Sequence, residues 1–202
     1  MSRIAVDVVL LPDEAMTDRA IEINAELVKK FGSKIVLNKE DCLPHISLAM
    51  GCLEETDIAS VEKILEAIAK EAPPGNLKVL GIRTTGNSKG QAVFVLEVEK
   101  TPQLQYLHEK VMGKITPYLC SDVTEDMIYG DEEVAASTLL WIENYRQKAS
   151  FENFFPHITI GYGQIENQTL PVVFTASELA LCHLGNHCTC KKILVSIKLI
   201  GP

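Results

Sequence analysis

Two short segments, far apart in the chain, carry the same pattern of one imidazole and one hydroxyl. Each reads Pro-His-Ile, then Ser or Thr, then an aliphatic residue. The resulting pairs are His45 with Ser47 and His157 with Thr159. Because alternate side chains of an extended strand share a face, the two members of a pair point the same way, about 7 Å apart. That span matches a phosphate group with its ester oxygens.

If the two strands face each other across a cleft, two imidazoles and two hydroxyls surround one phosphorus atom. A neutral imidazole takes the proton of the attacking hydroxyl or water, a protonated one gives a proton to the leaving oxygen, and each transfer contributes about 10²–10⁴-fold. The unperturbed pKa of histidine, about 6.5, suits both roles. We therefore predict His45 and His157 as the catalytic acid and base, in an order that the pattern leaves open. Ser47 and Thr159 are predicted to bind the non-bridging oxygens of the substrate, and no metal or cofactor is needed.

Hydrophobic periodicity, broken by Gly and Pro, predicts the elements that carry these pairs. Strands are expected at 4–11, 34–37, 42–50, 77–84, 92–98, 155–162, 174–184 and 192–200. Helices are expected at 13–31, from about 56 to Pro73, at 102–119 and at 132–148. The turn-rich residues 86–90 and the pair Gly185 and Asn186 are expected to close two hairpins.

The chain twice runs through the same arrangement: a Pro-His strand, a connection and a long hairpin. Such an internal duplication favours two similar lobes that face each other. Helices interleaved with hairpins indicate an α+β fold, with two mainly antiparallel sheets flanking a central cleft and helices on the outside. We predict a single bilobal domain over residues 1–202. An acidic stretch at 121–131 is predicted to be a surface loop rather than a lid, within an insertion at 121–150.

Composition and charge limit the partners that this chain can have. The apolar fraction of 47% and the charged fraction of 23% are those of a folded globular protein. A net charge of −8 argues against extended binding of a nucleic-acid duplex, so a nucleic-acid partner is expected to be bound locally. Four cations are candidates to line a cleft: Arg83, Lys89, Arg146 and Lys148.

Nothing in the sequence indicates a membrane or a secretory route. No apolar run approaches the roughly 20 residues that span a bilayer, and the first residues lack a signal-peptide cleavage site. We therefore expect a cytoplasmic protein whose six cysteines stay reduced.

The segment 182–190 has the composition of a zinc site, with two histidines among three cysteines. If the segment is a hairpin, Cys188 and Cys190 share one face while His187 points to the other. The two-residue separation that is typical of cysteine pairs in zinc sites is also absent. We predict that these cysteines pack as small apolar side chains.

Four further side chains have roles that the sequence leaves open. His108 lies in a helical pattern and is expected at a solvent edge or in a capping role. Asp7 interrupts an apolar strand, where it either orients an imidazole or, as we favour slightly, forms the polar side of an edge strand. Phe155 and Tyr162 flank the second segment and either stack on a base or, more simply, pack in the core.

The two Pro-His segments, the second of which continues with Gly161 and Tyr162, resemble the paired signatures of the 2H phosphoesterases. This superfamily comprises 2′-5′ RNA ligase-like proteins and cyclic phosphodiesterases. The resemblance implies a bilobal fold with a central cleft and hydrolysis, without a metal, of 2′,3′-cyclic phosphates or related phosphodiesters of nucleotides or RNA ends. Two features depart from the family: Ser47 stands where Thr is commoner, and the 121–150 region is long. A specific RNA substrate therefore does not follow.

Several functions stay open at this stage. A phosphodiesterase is favoured over a 2′-5′ RNA ligase, because water is abundant whereas ligation needs two RNA ends held together by an acidic chain. A nucleotide-binding module without turnover is a second class. A scaffold that uses the acidic insertion as its contact surface is a third.

Overall fold

The computed structural model describes residues 2–199 except 33, 72–73, 87–89 and 165–170. In this part of the chain, the α-helices and β-strands follow the order that the hydrophobic pattern predicts, except that the strand expected at 34–37 is missing. They are β1 (Arg3–Pro12), α1 (Glu14–Phe31), β2 (Ile46–Glu54), α2 (Ile58–Glu71), β3 (Asn76–Gly86), β4 (Ala92–Val98), α3 (Pro102–Ile115), α4 (Ala136–Lys148), β5 (His157–Tyr162), β6 (Val172–Leu184) and β7 (Cys190–Lys198).

All strand pairs are antiparallel, and the strands form two sheets that share β6. The first part of β6 pairs with β3, and the part from Ala176 onward pairs with β1 and β7. The continuous order of neighbours is β2-β1-β6-β3-β4-β5, with β7 beside β6. The predicted α+β fold with antiparallel sheets is therefore confirmed, and the structure adds that one 13-residue strand joins the two sheets.

The two Pro-His strands contain the same irregularity at the same position. The pairing register shifts by one residue after Ser47 on β2 and after Thr159 on β5. Leu48 and Ile160 are the extra residues, so each strand has a β-bulge directly after its hydroxyl residue. A bulge interrupts the alternation of faces along a strand. The duplication therefore extends to backbone geometry.

Each Pro-His strand is covered by a helix that comes from the other half of the duplication. Helix α1 packs on β5, and α3 packs on β2. Asn24 of α1 is buried and donates from Nδ2 to the carbonyls of Ile35 at 2.9 Å and Ile160 at 2.6 Å. Its Oδ1 accepts the Leu37 N–H at 2.8 Å. One side chain thus forms hydrogen bonds with backbone groups of both the bulge on β5 and the loop before β2.

His108 of α3 lies against the other bulge and is fully buried. Its Nε2 accepts the Phe151 N–H at 2.7 Å, and its ring stacks on Phe154 with 4.0 Å between centroids. Burial lowers the pKa of His108 to about 4, and the Leu48 backbone acts in the opposite direction. The predicted solvent edge is wrong because the ring lies on the buried face of α3, where it bonds to the first N–H of the turn Phe151–Asn153.

Helix α1 begins and ends at residues that suit those positions. Asp13 is the N-cap, and its Oδ1 accepts the Met16 N–H at 2.9 Å. Its Oδ2 accepts the Thr175 N–H at 2.7 Å, so the cap also ties the helix to β6. Gly32 ends the helix with a positive φ of 64°, which glycine adopts without strain.

One predicted strand does not form, and two predicted elements begin at other residues than expected. Residues 34–37 form no strand, because Ile35 and Leu37 bond to the Asn24 side chain rather than to a ladder. Strand β2 begins at Ile46 rather than at residue 42, and α4 begins at Ala136 rather than at 132. The other elements lie within a few residues of their predicted ranges, while Lys89, most of the 86–90 turn and Ile200 lie outside the described residues.

The acidic stretch at 121–131 is a loop, as predicted, with one short 3₁₀ turn at Glu125–Met127. Its Val123 and Ile128 side chains are buried in the core, and Asp122 forms an ion pair with Arg3 at 3.2 Å. Because these contacts hold the loop against the core, the loop does not form a lid.

The prediction that all six cysteines stay reduced is wrong for four of them. Cys52 is bonded to Cys120, and Cys182 is bonded to Cys190. The Cα atoms of the two pairs are 5.0 and 5.6 Å apart, within the normal range for a disulfide. The prediction rested on the expected compartment, whereas pairing depends on which strands become neighbours. Cys42 and Cys188 are free.

In the described residues, one group of three possible metal ligands lies close together, namely Cys52, Cys120 and Asp122, and its two cysteines are bonded to each other. None of the helices described here is long and apolar enough to cross a bilayer.

The Asn24 network predicts a large stability effect from one substitution. We expect Asn24→Ala to lower the free energy of unfolding by about 2–4 kcal/mol, because it removes three buried hydrogen bonds, one from a backbone N–H and two to backbone carbonyls. Glu26→Ala, on the exposed side of the same helix, should change it by less than about 0.5 kcal/mol. Urea denaturation followed by circular dichroism measures both. Similar effects of the two substitutions would contradict the role assigned to Asn24.

Candidate active site

One cavity of about 220 Å³ receives all four side chains that the sequence pattern selects. His45 and Ser47 reach it from the start of β2, and His157 and Thr159 reach it from β5. The two segments therefore converge although they lie in different sheets. Their catalytic and binding roles stay predictions.

The two imidazoles are oriented by the same hydrogen bond. His45 Nδ1 lies 2.8 Å from the Leu43 carbonyl oxygen, and His157 Nδ1 lies 2.7 Å from the Phe155 carbonyl oxygen. A carbonyl oxygen only accepts, so Nδ1 carries the hydrogen in both rings. The lone pair of each neutral ring is then on Nε2, which is the atom left to exchange a proton with a ligand.

Burial lowers the pKa of both imidazoles from the ordinary value, and the hydrogen bonds to the carbonyls act in the opposite direction. For His45, the nearby His157 lowers the pKa further. Two imidazolium rings in one buried cavity repel each other, so protonation of one ring disfavours protonation of the other. The pair is suited to holding one proton between two rings.

Ser47 has a partner that the pattern alone does not specify. Its Oγ lies 2.6 Å from Oδ2 of Asp7. Asp7 Oδ2 also lies 3.9 Å from His45 Nε2. Asp7 is fully buried on β1, which pairs with β2 on one side and β6 on the other. The favoured prediction of an edge strand is therefore wrong. Burial raises the pKa of the Asp7 carboxyl well above its usual range and lowers the pKa of His45, so burial favours the neutral form of both groups.

The bulges bring one more residue from each strand to the cavity. Met50 and Tyr162, each three positions after the hydroxyl residue, line the cavity beside it. Phe155 and Tyr162 both line the cavity and are only partly buried, and Tyr162 also packs against the core as predicted, whereas Phe155 does not belong to the core. An uninterrupted strand would turn Tyr162 to the opposite face, so a prediction from alternation alone misplaces it.

A third imidazole, His187, also lines the cavity. Its Nδ1 is 3.2 Å from the Tyr162 hydroxyl, and the two rings meet edge to face. Residues 186–188 form a 3₁₀ turn rather than a strand, with positive φ at His187 and Cys188. The predicted placement of these two residues on opposite faces is therefore wrong, since both line the cavity.

Asn186 holds this turn against the beginning of α4. Its Oδ1 accepts the Ala135 N–H at 3.0 Å, the Thr138 hydroxyl at 2.9 Å and the His187 N–H at 3.0 Å. Its Nδ2 donates to the Glu133 carbonyl at 2.9 Å. The backbone conformation of His187 is uncommon for a residue with a side chain, and this network supplies the bonds that maintain it.

Helix α4, which lies in the segment predicted to be an insertion, forms one wall of the cavity. It packs on β2, and the side chains at successive turns of one face reach the cavity. They are Ser137, Thr138, Trp141 and Tyr145. Trp141 is 36% exposed and is the single tryptophan of the chain. The segment therefore shapes the site directly.

No Lys, Arg, Asp or Glu side chain among the described residues lines the cavity. Arg83 comes near it: its guanidinium lies 4.8 Å above the Phe155 ring and pairs with Glu97 at 3.2 Å. Arg146 and Lys148, two of the cations considered for the cleft, are exposed on α4 and do not line the cavity.

Comparison with known proteins assigns this chain to a family. The chain resembles the crystal structure of TT0787 of Thermus thermophilus, with a TM-score of 0.60 and 16% identity over 98% of this chain and 99% of that one. It also resembles apo LigT of E. coli, with a TM-score of 0.49 and 13% identity over 98% of each chain. A search of curated protein sequences gives no match.

The model of the 2′-5′ RNA ligase superfamily matches residues 28–185, which include both Pro-His segments. The chain therefore belongs to the 2′-5′ RNA ligase superfamily, and the resemblance to the 2H phosphoesterases is confirmed.

The environment of the imidazoles predicts their titration. We expect His45 and His157 to titrate below about 6.5, because burial disfavours the charged rings more than the carbonyl bonds favour them. The pH dependence of the imidazole C–H signals in NMR spectra measures this, with His45→Gln and His157→Gln for assignment. In concentrated urea, both midpoints should return to the ordinary value. A midpoint above that value in the folded protein would contradict the dominance of burial.

Proposed function

We propose that the protein hydrolyses a phosphodiester, and that the favoured substrate is the 2′,3′-cyclic phosphate of a nucleotide or of an RNA end. The observation that carries the proposal is the pair of identically oriented imidazoles, each beside a hydroxyl, in one cavity. Membership of the superfamily supports a reaction at phosphorus.

In the proposed reaction, a water molecule attacks phosphorus while Nε2 of one histidine takes its proton. The bond from phosphorus to one ribose oxygen breaks, and that oxygen receives the proton carried by Nε2 of the other histidine. The Ser47 and Thr159 hydroxyls donate hydrogen bonds to the non-bridging oxygens, on which negative charge accumulates. The proton count is balanced by the two rings alone, so no metal is needed.

The charge of the cavity favours a diester over a monoester. A cyclic phosphate carries one negative charge, which a histidine pair with one proton neutralises. A monoester carries about −1.5 to −2 at neutral pH, and the described residues supply no Lys or Arg in the cavity to balance it. The monoester product is therefore expected to leave readily.

The walls of the cavity suit a nucleobase. Trp141, Tyr162 and Phe155 present aromatic surface beside the imidazoles, and bases stack on such surface with little sequence preference. The net charge of −8 disfavours a long nucleic acid, so a mononucleotide or a single RNA end is the expected ligand. The contribution of α4 to this wall also speaks against a scaffold role for the segment 121–150 that is separate from the site.

The proposed function predicts a specific set of kinetic losses. We expect chelator-treated protein to convert 2′,3′-cyclic nucleotides to monoesters, and His45→Ala and His157→Ala each to lower kcat by about 10²–10⁴-fold. Thr159→Ala should lower kcat by about 10²–10³-fold, as expected for loss of one donor to the developing charge. Phosphorus NMR identifies the products for cyclic nucleotides and for RNA with a cyclic-phosphate end.

The control is His183→Ala, since His183 bonds to the Met127 carbonyl at 3.0 Å and does not line the cavity. Loss of activity on chelation, or equal losses in the control and the two active-site variants, would contradict the proposed mechanism. If the same mixture with an added 5′-hydroxyl RNA yields joined strands instead of monoesters, ligation is the activity.

Trp141 allows binding to be measured separately from turnover. Because it is the single tryptophan and lines the cavity, a 2′,3′-cyclic nucleotide should change its fluorescence in a saturable way. We expect the double variant His45→Ala, His157→Ala to retain this response while losing turnover. A wild-type protein that binds nucleotides but converts no cyclic phosphate would instead be a binding module.

A further inference from the structure

Asp7 is a carboxyl group in an environment that otherwise excludes charge. It is fully buried on an interior strand, and one of its oxygens, Oδ1, has no hydrogen-bond partner within the described residues. The other oxygen, Oδ2, lies 2.6 Å from Ser47 Oγ. A buried carboxyl with incomplete bonding is destabilising unless it has a compensating role.

The duplicated half of the protein does without such a carboxyl. In the first sheet, Ser47 pairs with Val9, and Asp7 lies opposite Met50. In the second sheet, Thr159 pairs with Val95, and Tyr162 lies opposite Val93. Val93 therefore occupies the position that corresponds to Asp7. Because a valine completes this part of the fold in one half, packing does not explain an aspartate in the other.

The hydrogen bond between Asp7 and Ser47 can be made in two ways, since a hydroxyl has one hydrogen to give. If Asp7 is ionised, the Ser47 hydrogen points to the carboxylate, and Ser47 offers the cavity only lone pairs, which repel an anion. If Asp7 is protonated, its own hydrogen points to Ser47 Oγ, and the Ser47 hydrogen is free to point into the cavity.

We propose that Asp7 is a positioning residue that donates a hydrogen bond to Ser47 Oγ and so directs the Ser47 hydroxyl hydrogen to a phosphate oxygen. This inference rests on the proposed phosphodiesterase function. It explains why an acid stands beneath the serine of the first pair, although the threonine of the second pair has a valine at the corresponding place.

The groups around Asp7 favour its protonated form. They are Ser47 on β2, His45 directly before β2, Tyr145 on α4, Cys188 in the turn after β6, and the disulfide-bonded Cys182 opposite Asp7 on β6. Burial raises the pKa of Tyr145 and Cys188 and lowers that of His45, so burial favours the uncharged form of each of these neighbours. The Ser47 hydroxyl and the Ala49 backbone favour the ionised form but are outweighed by burial.

Two substitutions of Asp7 distinguish a role as a hydrogen-bond donor from a purely structural role. Asp7→Val installs the residue of the corresponding position and removes the donor, so kcat should fall by about 10²–10³-fold, as for Ser47→Ala. Asp7→Asn keeps the shape and offers an amide N–H to Ser47, so it should restore most of kcat. In a Ser47→Ala background, Asp7→Val should cause no further loss, because Asp7 acts through Ser47.

The pH profile gives a second readout. As the pH rises, kcat/KM of the wild type should fall on the loss of two protons, one from the histidine that acts as the acid and one from Asp7. For Asp7→Asn, kcat/KM should fall on the loss of one proton. Thermal unfolding checks that Asp7→Val is folded, and we expect its stability to equal or exceed that of the wild type. Equal activities of Asp7→Asn and Asp7→Val, or an additive loss with Ser47→Ala, would overturn the proposal.

A measurement independent of turnover distinguishes this inference from the function it rests on. The infrared carbonyl band of a protonated carboxylic acid should be present in the wild type at neutral pH and absent in Asp7→Asn. Its absence from the wild type would overturn the role of Asp7 even if the enzyme is active. Its presence in a protein without hydrolase activity would refute the proposed function while leaving the buried acid in place.

Discussion

The hydrogen bond from each of the two cavity imidazoles to the carbonyl two residues earlier is the interaction on which the candidate site depends. It assigns the hydrogen to Nδ1 and leaves the lone pair on Nε2 in both rings. The carbonyl belongs to the residue before a proline, and such a residue is restricted to extended conformations. Pro44 and Pro156 therefore help to hold each acceptor where its ring needs it. Without this bond, burial alone would leave two neutral rings free to turn either nitrogen toward the cavity.

The duplication gives the two Pro-His strands the same backbone geometry, and single side chains make the surroundings of their imidazoles different. Both Pro-His strands have a bulge after the hydroxyl residue, and each is covered by a helix from the other half with a buried polar side chain, Asn24 or His108. These features bring two like pairs to one cavity. An acid–base reaction, however, needs one ring that is protonated and one that is not. Asp7 lies beside His45 alone, so the two imidazoles differ in their surroundings although their backbones match.

A structural feature can be predicted from the sequence when it is determined by residues that are close together in the chain. Periodicity and turn residues are local, so the helices, the hairpins and the antiparallel fold class were predictable, and two equal segments in a duplicated chain indicated a shared cleft. The cavity positions of Tyr162 and His187 depend on a bulge and on a 3₁₀ turn that alternation does not reveal. The interior place of Asp7 depends on β6, which returns from the far end of the chain to pair with β1. Pairing of the cysteines likewise depends on strands that are distant in sequence.

The walls of the cavity are preformed because three separate parts of the chain are bonded to one another around it. Asn186 joins the turn that carries His187 to the first residues of α4, and α4 packs on β2. The Tyr162 hydroxyl and His187 then connect β5 with that turn, across the two sheets. A ligand therefore meets fixed aromatic and imidazole surfaces, and ordering of these groups on binding adds little entropic penalty.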